Sequence, residues 1–96
     1  MASNLDYLNF VLELLRKVDG INYRKMMGEF MLYRNGVIFG GVYDNRFLIK
    51  NTKVKEEYEL AEAIPYPGGS PMLVVASEDP DLIKEIVLAT LKYLKK

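Results

Sequence analysis

The sequence contains neither cysteine nor histidine. Without cysteine, the chain has no disulfide, no thiolate metal ligand and no cysteine nucleophile. Without histidine, it lacks the usual general base near neutral pH and the commonest metal ligand. Any chemistry would fall to tyrosine, lysine, serine or carboxylate side chains, and no adjacent base is visible in the sequence. We therefore expect no enzymatic activity, no metal and no cofactor.

An excess of charge of either sign is also missing. Lysine plus arginine and aspartate plus glutamate number 13 each, so no overall electric field favours nucleic acid or an acidic membrane. No apolar run approaches the roughly 18 residues of a membrane span, and no basic-then-apolar leader opens the chain. We expect a cytoplasmic protein with no membrane partner.

Ninety-six residues, half of them hydrophobic, are enough for one domain with a single core, and we assign residues 1–96 to it. Apolar periodicity and capping residues predict helices over 3–18, from 51 to about 63, and from Asp79 onward. An unbroken apolar run predicts a strand over 72–76, after a loop rich in proline and glycine over 64–71. With three strands in the centre, the order is α-β-β-β-α-β-α. This order predicts a two-layer α+β domain with an antiparallel sheet and helices packed mainly on one face.

The stretch 23–50 dominates the chain. Asn35-Gly36 lies between two apolar runs and is the strongest short hairpin signal, because both residues tolerate the positive φ of a type I′ turn. Asp44-Asn45 is a second candidate. If both loops have two residues, counting outward from the first predicts that Leu32 pairs with Phe39, and counting from the second that Gly41 pairs with Leu48.

Alternation along these strands assigns every side chain to a face. One predicted face has no charged residue and is expected to be covered by the helices: Met31, Tyr33, Ile38, Gly40, Val42, Phe47 and Ile49. The other predicted face mixes large apolar groups with basic residues: Phe30, Leu32, Arg34, Val37, Phe39, Gly41, Tyr43, Arg46, Leu48 and Lys50.

An apolar patch rimmed by charge is typical of a partner surface. We therefore predict a homodimer or another protein contact through the mixed face or its edge. The predicted partner-binding residues are Phe30, Leu32, Arg34, Phe39, Tyr43, Arg46, Leu48 and Lys50.

Two alternatives use neighbouring residues. Aromatic side chains flanked by basic ones on a sheet are also typical of weak nucleic-acid binding, and Arg24 and Lys25 are the candidates for an anion or nucleic-acid contact at the sheet edge. The zero net charge argues against high affinity. A small-ligand pocket near Gly41, Lys50 and Tyr66 is the third hypothesis.

The central stretch resembles the N-terminal domain of the TfoX/Sxy family, regulators of competence genes in bacteria. The matching residues are Arg24, Met26, Met27, Gly28, Phe30, Leu32, Tyr33, Asn35, Gly36, Phe39, Val42, Asp44, Leu48 and Lys50. Two departures are Glu29, where a second glycine is usual, and the missing helical C-terminal domain of full-length regulators. The resemblance implies an α+β fold of the secretion-chaperone-like type, frequent dimerisation, no known enzyme activity and a role in competence regulation.

Overall fold

A computed structural model describes residues 3–94. Its elements, in chain order, are α1 (Leu5–Leu14), β1 (Ile21–Met26), β2 (Glu29–Arg34), β3 (Val37–Val42), β4 (Phe47–Ile49), α2 (Val54–Tyr58), β5 (Glu62–Ala63), β6 (Met72–Val74) and α3 (Pro80–Leu94). All strands join one antiparallel sheet in the order β1-β2-β3-β4-β6-β5. This arrangement confirms the predicted α+β class with an antiparallel sheet.

The core lies between this sheet and the helices. Buried apolar residues of α1 and α3 form one cluster with buried residues of the strands. The cluster comprises Leu8, Val11, Leu14, Leu15, Val18, Phe30, Leu32, Phe39, Val42, Phe47, Ile49, Val54, Leu73, Val75, Ile83, Ile86 and Val87. The helices therefore pack mainly on one face of the sheet, as predicted.

Three two-residue turns connect the first four strands. Their central residues all have positive φ: Met27-Gly28, Asn35-Gly36 and Asp44-Asn45. Positive φ at both positions is the mark of the type I′ hairpin turn, whose twist matches that of the flanking strands. The two turns predicted from the sequence are thus confirmed, and Met27-Gly28 is an additional one.

The strand β3 contains a bulge. Tyr33 pairs with Ile38, but Leu32 pairs with Gly40, which leaves Phe39 as an extra residue opposite the Leu32/Tyr33 step. The predicted pairing of Leu32 with Phe39 is therefore wrong. Beyond the second turn the count is right, since Gly41 pairs with Leu48.

Helix boundaries follow local capping. The Asn4 side chain accepts a hydrogen bond of 2.8 Å from the Tyr7 N–H and begins α1, so the predicted start at Ser3 is one residue early. The Asp79 side chain accepts one of 3.0 Å from the Asp81 N–H at the start of α3, which confirms Asp79-Pro80 as its beginning. The helix α2 ends before Glu59, whose φ of 54° stops it well short of residue 63.

Within residues 3–94, no helix combines the length and the apolar character needed to cross a bilayer.

Candidate functional site

The bulge decides which side chains lie on which side of the sheet. A bulge places two consecutive residues on the same side and interrupts the alternation. Cross-strand partners share a side, so Phe39 and Gly40 both lie on the side that α1 and α3 cover, which we call the helix side. The opposite side we call the helix-free face. From β2, β3, β4 and β6, and from the residues directly after β3 and β4, it carries Met31, Tyr33, Ile38, Gly41, Tyr43, Leu48, Lys50, Met72 and Val74.

Three of the predicted partner-binding residues are core residues. Phe30, Leu32 and Phe39 are buried in the cluster with α1 and α3, so the prediction that they form an exposed patch is wrong. The physical reason is the bulge, because every residue of β2 and the first part of β3 lies on the side opposite to the one that regular alternation predicts. For the same reason Tyr33 and Ile38 point away from the helices, whereas Phe47 lies in the core as predicted.

Tyr43 and Leu48 lie on the predicted side but are not available to a partner. Both are buried, Leu48 completely, and neither belongs to the cluster under the helices. The Tyr43 ring lies over Gly41, where a Cβ atom would come within 2.8 Å of the ring carbon Cε2. Such a Cβ atom would also come within 2.6 Å of the Phe30 carbonyl oxygen, so the strand β2 and the ring of Tyr43 together leave no space for a side chain at Gly41.

The predicted basic residues separate into different environments. Arg34 lies on the helix side, where its guanidinium donates to the Asp19 carboxylate at 3.0 Å and to the Asp19 carbonyl at 3.1 Å. This pairing holds the pKa of the Asp19 carboxyl below its usual value, through the hydrogen bond first and the charge of Arg34 second. Arg34 is therefore a structural contact between β2 and the end of the α1 segment.

Arg46 has a structural partner as well. Its guanidinium donates to the carbonyls of Tyr43, Ile64 and Pro65 at 3.1, 3.0 and 3.3 Å. These bonds fasten the start of the proline loop, residues 64–71, to the turn between β3 and β4. Arg46 is half-buried as a result.

Arg24 and Lys25 are exposed on β1 and point to opposite sides of the sheet. Arg24 is paired with Met31 on the helix-free face, and Lys25 with Phe30 on the helix side. The two cations therefore do not form a joint anion site. Lys50, half-buried, lies with Arg24 on the helix-free face, and within residues 3–94 neither has an ion-pair partner.

Half-buried apolar residues of the helix-free face are Met31, Tyr33, Ile38, Met72 and Val74, on β2, β3 and β6. The sequence had assigned Met31, Tyr33 and Ile38 to the opposite face and had assigned Met72 and Val74 to neither. Gly40-Gly41 was the signal that could have identified the first three, because glycine within a strand is typical of a bulge. All five lie on the face opposite the core, where Ile38 and Met72 line a groove together with Lys50 and with Leu94 at the end of α3.

The proline loop borders this surface. A groove of about 400 Å³ runs between the loop and the sheet, and its wall includes Ile38, Tyr43, Lys50, Tyr66 and Met72. The rings of Tyr43 and Tyr66 are 6.3 Å apart between centroids and tilted by 50°. The predicted pocket near Gly41, Lys50 and Tyr66 corresponds to this groove.

The Tyr43 hydroxyl lies in this groove. Burial raises the pKa of the Tyr43 phenol, with the neighbouring Tyr66 contributing next, so the hydroxyl stays protonated at neutral pH. It lies 3.3 Å from the Met31 sulfur. Among residues 3–94, no group of three or more carboxylates could hold a metal ion.

The motif of residues 24–50 coincides with the end of β1, the strands β2, β3 and β4 and the turns that join them. Its glycine and asparagine positions form the hairpin turns, and its Phe30, Leu32, Phe39 and Val42 form the core under the helices. The motif therefore describes the fold of the central hairpins more than a site. Neither protein-family models nor curated proteins give a match to the chain, so the resemblance to the TfoX/Sxy family stays a prediction made from these residues.

Proposed function

We propose that the protein is a non-enzymatic regulatory module that acts as a homodimer and contacts a protein partner through its helix-free face. The single observation that supports this proposal is the half-exposed apolar surface of Met31, Tyr33, Ile38 and Met72 on a sheet face without helices. Contiguous apolar surfaces rimmed by polar groups are frequent at protein interfaces. The resemblance to TfoX/Sxy regulators directs the proposal toward transcriptional control of competence genes.

Adjacent residues of β3 offer a matched test. Ile38 lies on the helix-free face, whereas Val37 pairs with Arg34 and lies on the helix side, where it is 46% exposed. We expect Ile38→Glu to abolish partner binding and Val37→Glu to preserve it, because a carboxylate at an apolar interface must be desolvated. Circular dichroism of both variants checks that they are folded.

The measurement is quantitative capture by immobilised wild-type, Ile38→Glu and Val37→Glu protein from an extract of the source cells. Proteins retained by the wild type and by Val37→Glu, but lost with Ile38→Glu, identify the partner. Transcript levels in a deletion strain complemented with each variant then test regulation. If Ile38→Glu and Val37→Glu retain the same proteins, the helix-free face is not the contact surface.

Nucleic-acid binding is the second candidate, because Arg24 and Lys50 share the helix-free face with Tyr33 and without an ion-pair partner in the described part of the chain. It has less support from the structure than from the sequence, since Phe30 and Phe39 are in the core and cannot stack on bases. Fluorescence anisotropy with single-stranded DNA and RNA at low salt tests it. Binding that weakens with salt and with Arg24→Glu supports it; no binding at low salt removes it.

A further inference from the structure

The sheet has one long free edge and one short one. The strand β1 forms the first edge with six residues, of which 22–26 are exposed. The opposite edge is β5, with only two residues. An unpaired edge strand presents a row of free backbone donors and acceptors that can pair with another strand. Only the β1 edge is long enough to pair with another strand. Two copies joined through β1 would leave no second long edge, so the assembly would stop at a dimer and would not grow into a fibre.

The hairpin between β1 and β2 determines which backbone groups point outward. A two-residue hairpin closes on a hydrogen-bonded pair, here Met26 with Glu29, and bonded pairs then alternate along the strand. The phase is confirmed at the other end, where the Asn35 N–H donates to the Gly20 carbonyl at 3.0 Å. Even-numbered residues of β1 therefore bond to β2, and Ile21, Tyr23 and Lys25 direct their N–H and C=O groups to the free edge.

One contact shows this directly. The Tyr23 N–H donates to the side-chain oxygen of Asn22 at 2.8 Å instead of to β2. The donor is thus satisfied locally and can exchange this partner for a backbone carbonyl of another strand. Tyr23 is also 41% exposed, with its ring edge-on to Phe30 at 5.9 Å on the helix side.

Few registers allow two β1 strands to pair about a twofold axis perpendicular to the sheet. Residues that pair across two strands lie on the same side of the sheet. Each allowed register therefore pairs one residue with the same residue of the second copy, and the axis passes between these two; the register is named below by that residue. With the axis at Arg24, the two Arg24 side chains lie opposite each other, and like charges opposite each other destabilise the pair. With the axis at Asn22, only residues 21–23 overlap. With the axis at Tyr23, residues 21–25 overlap, Arg24 is opposite Asn22, and Lys25 is opposite Ile21.

We propose that two copies pair antiparallel through β1, with Tyr23 of one copy opposite Tyr23 of the other. This inference rests on the homodimer of the proposed function and assigns its interface. The outward groups of Ile21, Tyr23 and Lys25 supply the hydrogen bonds, and the two Tyr23 rings meet next to Phe30. Because the axis is perpendicular to the sheet, both helix-free faces lie on the same side and form one doubled surface for a partner.

The absence of cysteine in the natural chain permits a test of the register by cross-linking. The axis at Tyr23 places residue 21 of one copy opposite residue 25 of the other, about 5.5 Å apart between Cα atoms and within the span of a disulfide. In a dimer of two copies with the same cysteine, the two equivalent residues would be offset by four residues along the strands, at about 3.3 Å each, and would lie about 14 Å apart. We expect mild oxidation to cross-link a mixture of Ile21→Cys and Lys25→Cys proteins, and neither protein alone.

Sedimentation velocity of the wild type distinguishes the two levels of failure. A dimer whose mixed cysteine variants do not cross-link preferentially overturns the β1 interface and leaves the proposed homodimer standing. A monomer at all concentrations overturns both.

Independently, Tyr23→Pro removes an outward N–H without removing a bond to β2, and proline is tolerated on edge strands. We expect it to raise the dimer dissociation constant at least about tenfold, while Tyr23→Phe leaves the constant unchanged; an unchanged constant in Tyr23→Pro contradicts the inference.

Discussion

The two faces of the sheet carry similar side chains in different surroundings. The helix side presents Phe30, Leu32 and Phe39, all buried with the helices. The helix-free face presents Met31, Tyr33 and Ile38, all half-buried. Both sets alternate along the same two strands, so hydrophobicity alone does not distinguish them. The comparison teaches that position relative to the bulge, more than residue type, decides which apolar groups remain accessible for a partner.

The largest effect should come from truncation on the helix side. Phe39→Ala removes a fully buried aromatic side chain and should lower the free energy of unfolding by about 4 kcal/mol. Its neighbour Ile38 is half-exposed on the helix-free face, so Ile38→Ala should cost about 1 kcal/mol, since much of its side chain is already in water. Urea unfolding of both variants measures the difference. Equal losses would mean that the two residues are equally buried and that the bulge is misplaced.

The bulge itself should be nearly as sensitive. A Cβ atom at Gly40 would come within 2.3 Å of the Leu48 carbonyl oxygen and 2.9 Å of the Ile49 Cα. Since backbone atoms of β4 cannot move aside cheaply, Gly40→Ala should destabilise the protein by about 3 kcal/mol, at the upper end of overpacking costs.

Gly36 provides the control for Gly40. A Cβ atom there meets nothing within 4 Å, and its φ of 83° is the only obstacle. Gly36→Ala should therefore cost about 1 kcal/mol, the penalty of a left-handed conformation. If thermal or urea unfolding ranks the two glycine variants in the opposite order, close approach of β3 and β4 does not explain Gly40.

The sequence was sufficient for the class of the fold and for the features that depend on single residues. Asn35-Gly36 and Asp44-Asn45 identified their turns because few residues tolerate positive φ, and Asp79-Pro80 identified the start of α3 because capping is local. The bulge was missed because counting alternate residues assumes a regular strand. A shift of one residue exchanges the sides of a whole strand, which is why three of the predicted site residues are in the core.

The strand β1 was missed for a different reason. Its residues 22–26 are exposed on both sides of the sheet, so no apolar alternation marks it as a strand. Arg24 and Lys25 were interpreted as a contact at the sheet edge, and the structure shows them within a strand that pairs with β2. Tertiary pairing, and not local propensity, determines its structure.

A smaller effect is expected where α1 is anchored to the sheet. The Ser3 hydroxyl lies 2.7 Å from a Glu29 carboxylate oxygen and accepts a bond of 3.0 Å from the Asn45 N–H. Ser3→Ala leaves the Asn45 N–H without this acceptor, whereas the Glu29 oxygen keeps the bonds from the Ser3 and Asp44 N–H groups. The substitution should cost about 1.5 kcal/mol. Ser70→Ala, at an exposed serine of the proline loop, is the control and should be neutral. A neutral Ser3→Ala would mean that the hydrogen bonds of the Ser3 hydroxyl do not stabilise the contact between the start of α1 and the sheet.

The smallest effect concerns Arg34, which the sequence assigned to the partner surface and the structure places against Asp19. The pKa of Asp19 is lowered by Arg34, so the pair stabilises the folded protein fully above the ordinary aspartate pKa, and this contribution disappears as pH falls through the lower folded value. Arg34→Gln should therefore destabilise the protein at pH 7 and converge on the wild type from about pH 4 downward.

Because the Asp19 side chain is 90% exposed, solvent screens the pair, and the difference between wild type and Arg34→Gln should also shrink at high salt. Urea titrations at a series of pH values measure it, and the double variant Asp19→Asn with Arg34→Gln should show the same pH dependence as Arg34→Gln alone. A pH-independent gap between Arg34→Gln and the wild type would mean that Arg34 acts through packing of its stem and not through Asp19. The ionic contact with Asp19 is what distinguishes Arg34 from Arg24 on the other face, so that result would remove this distinction.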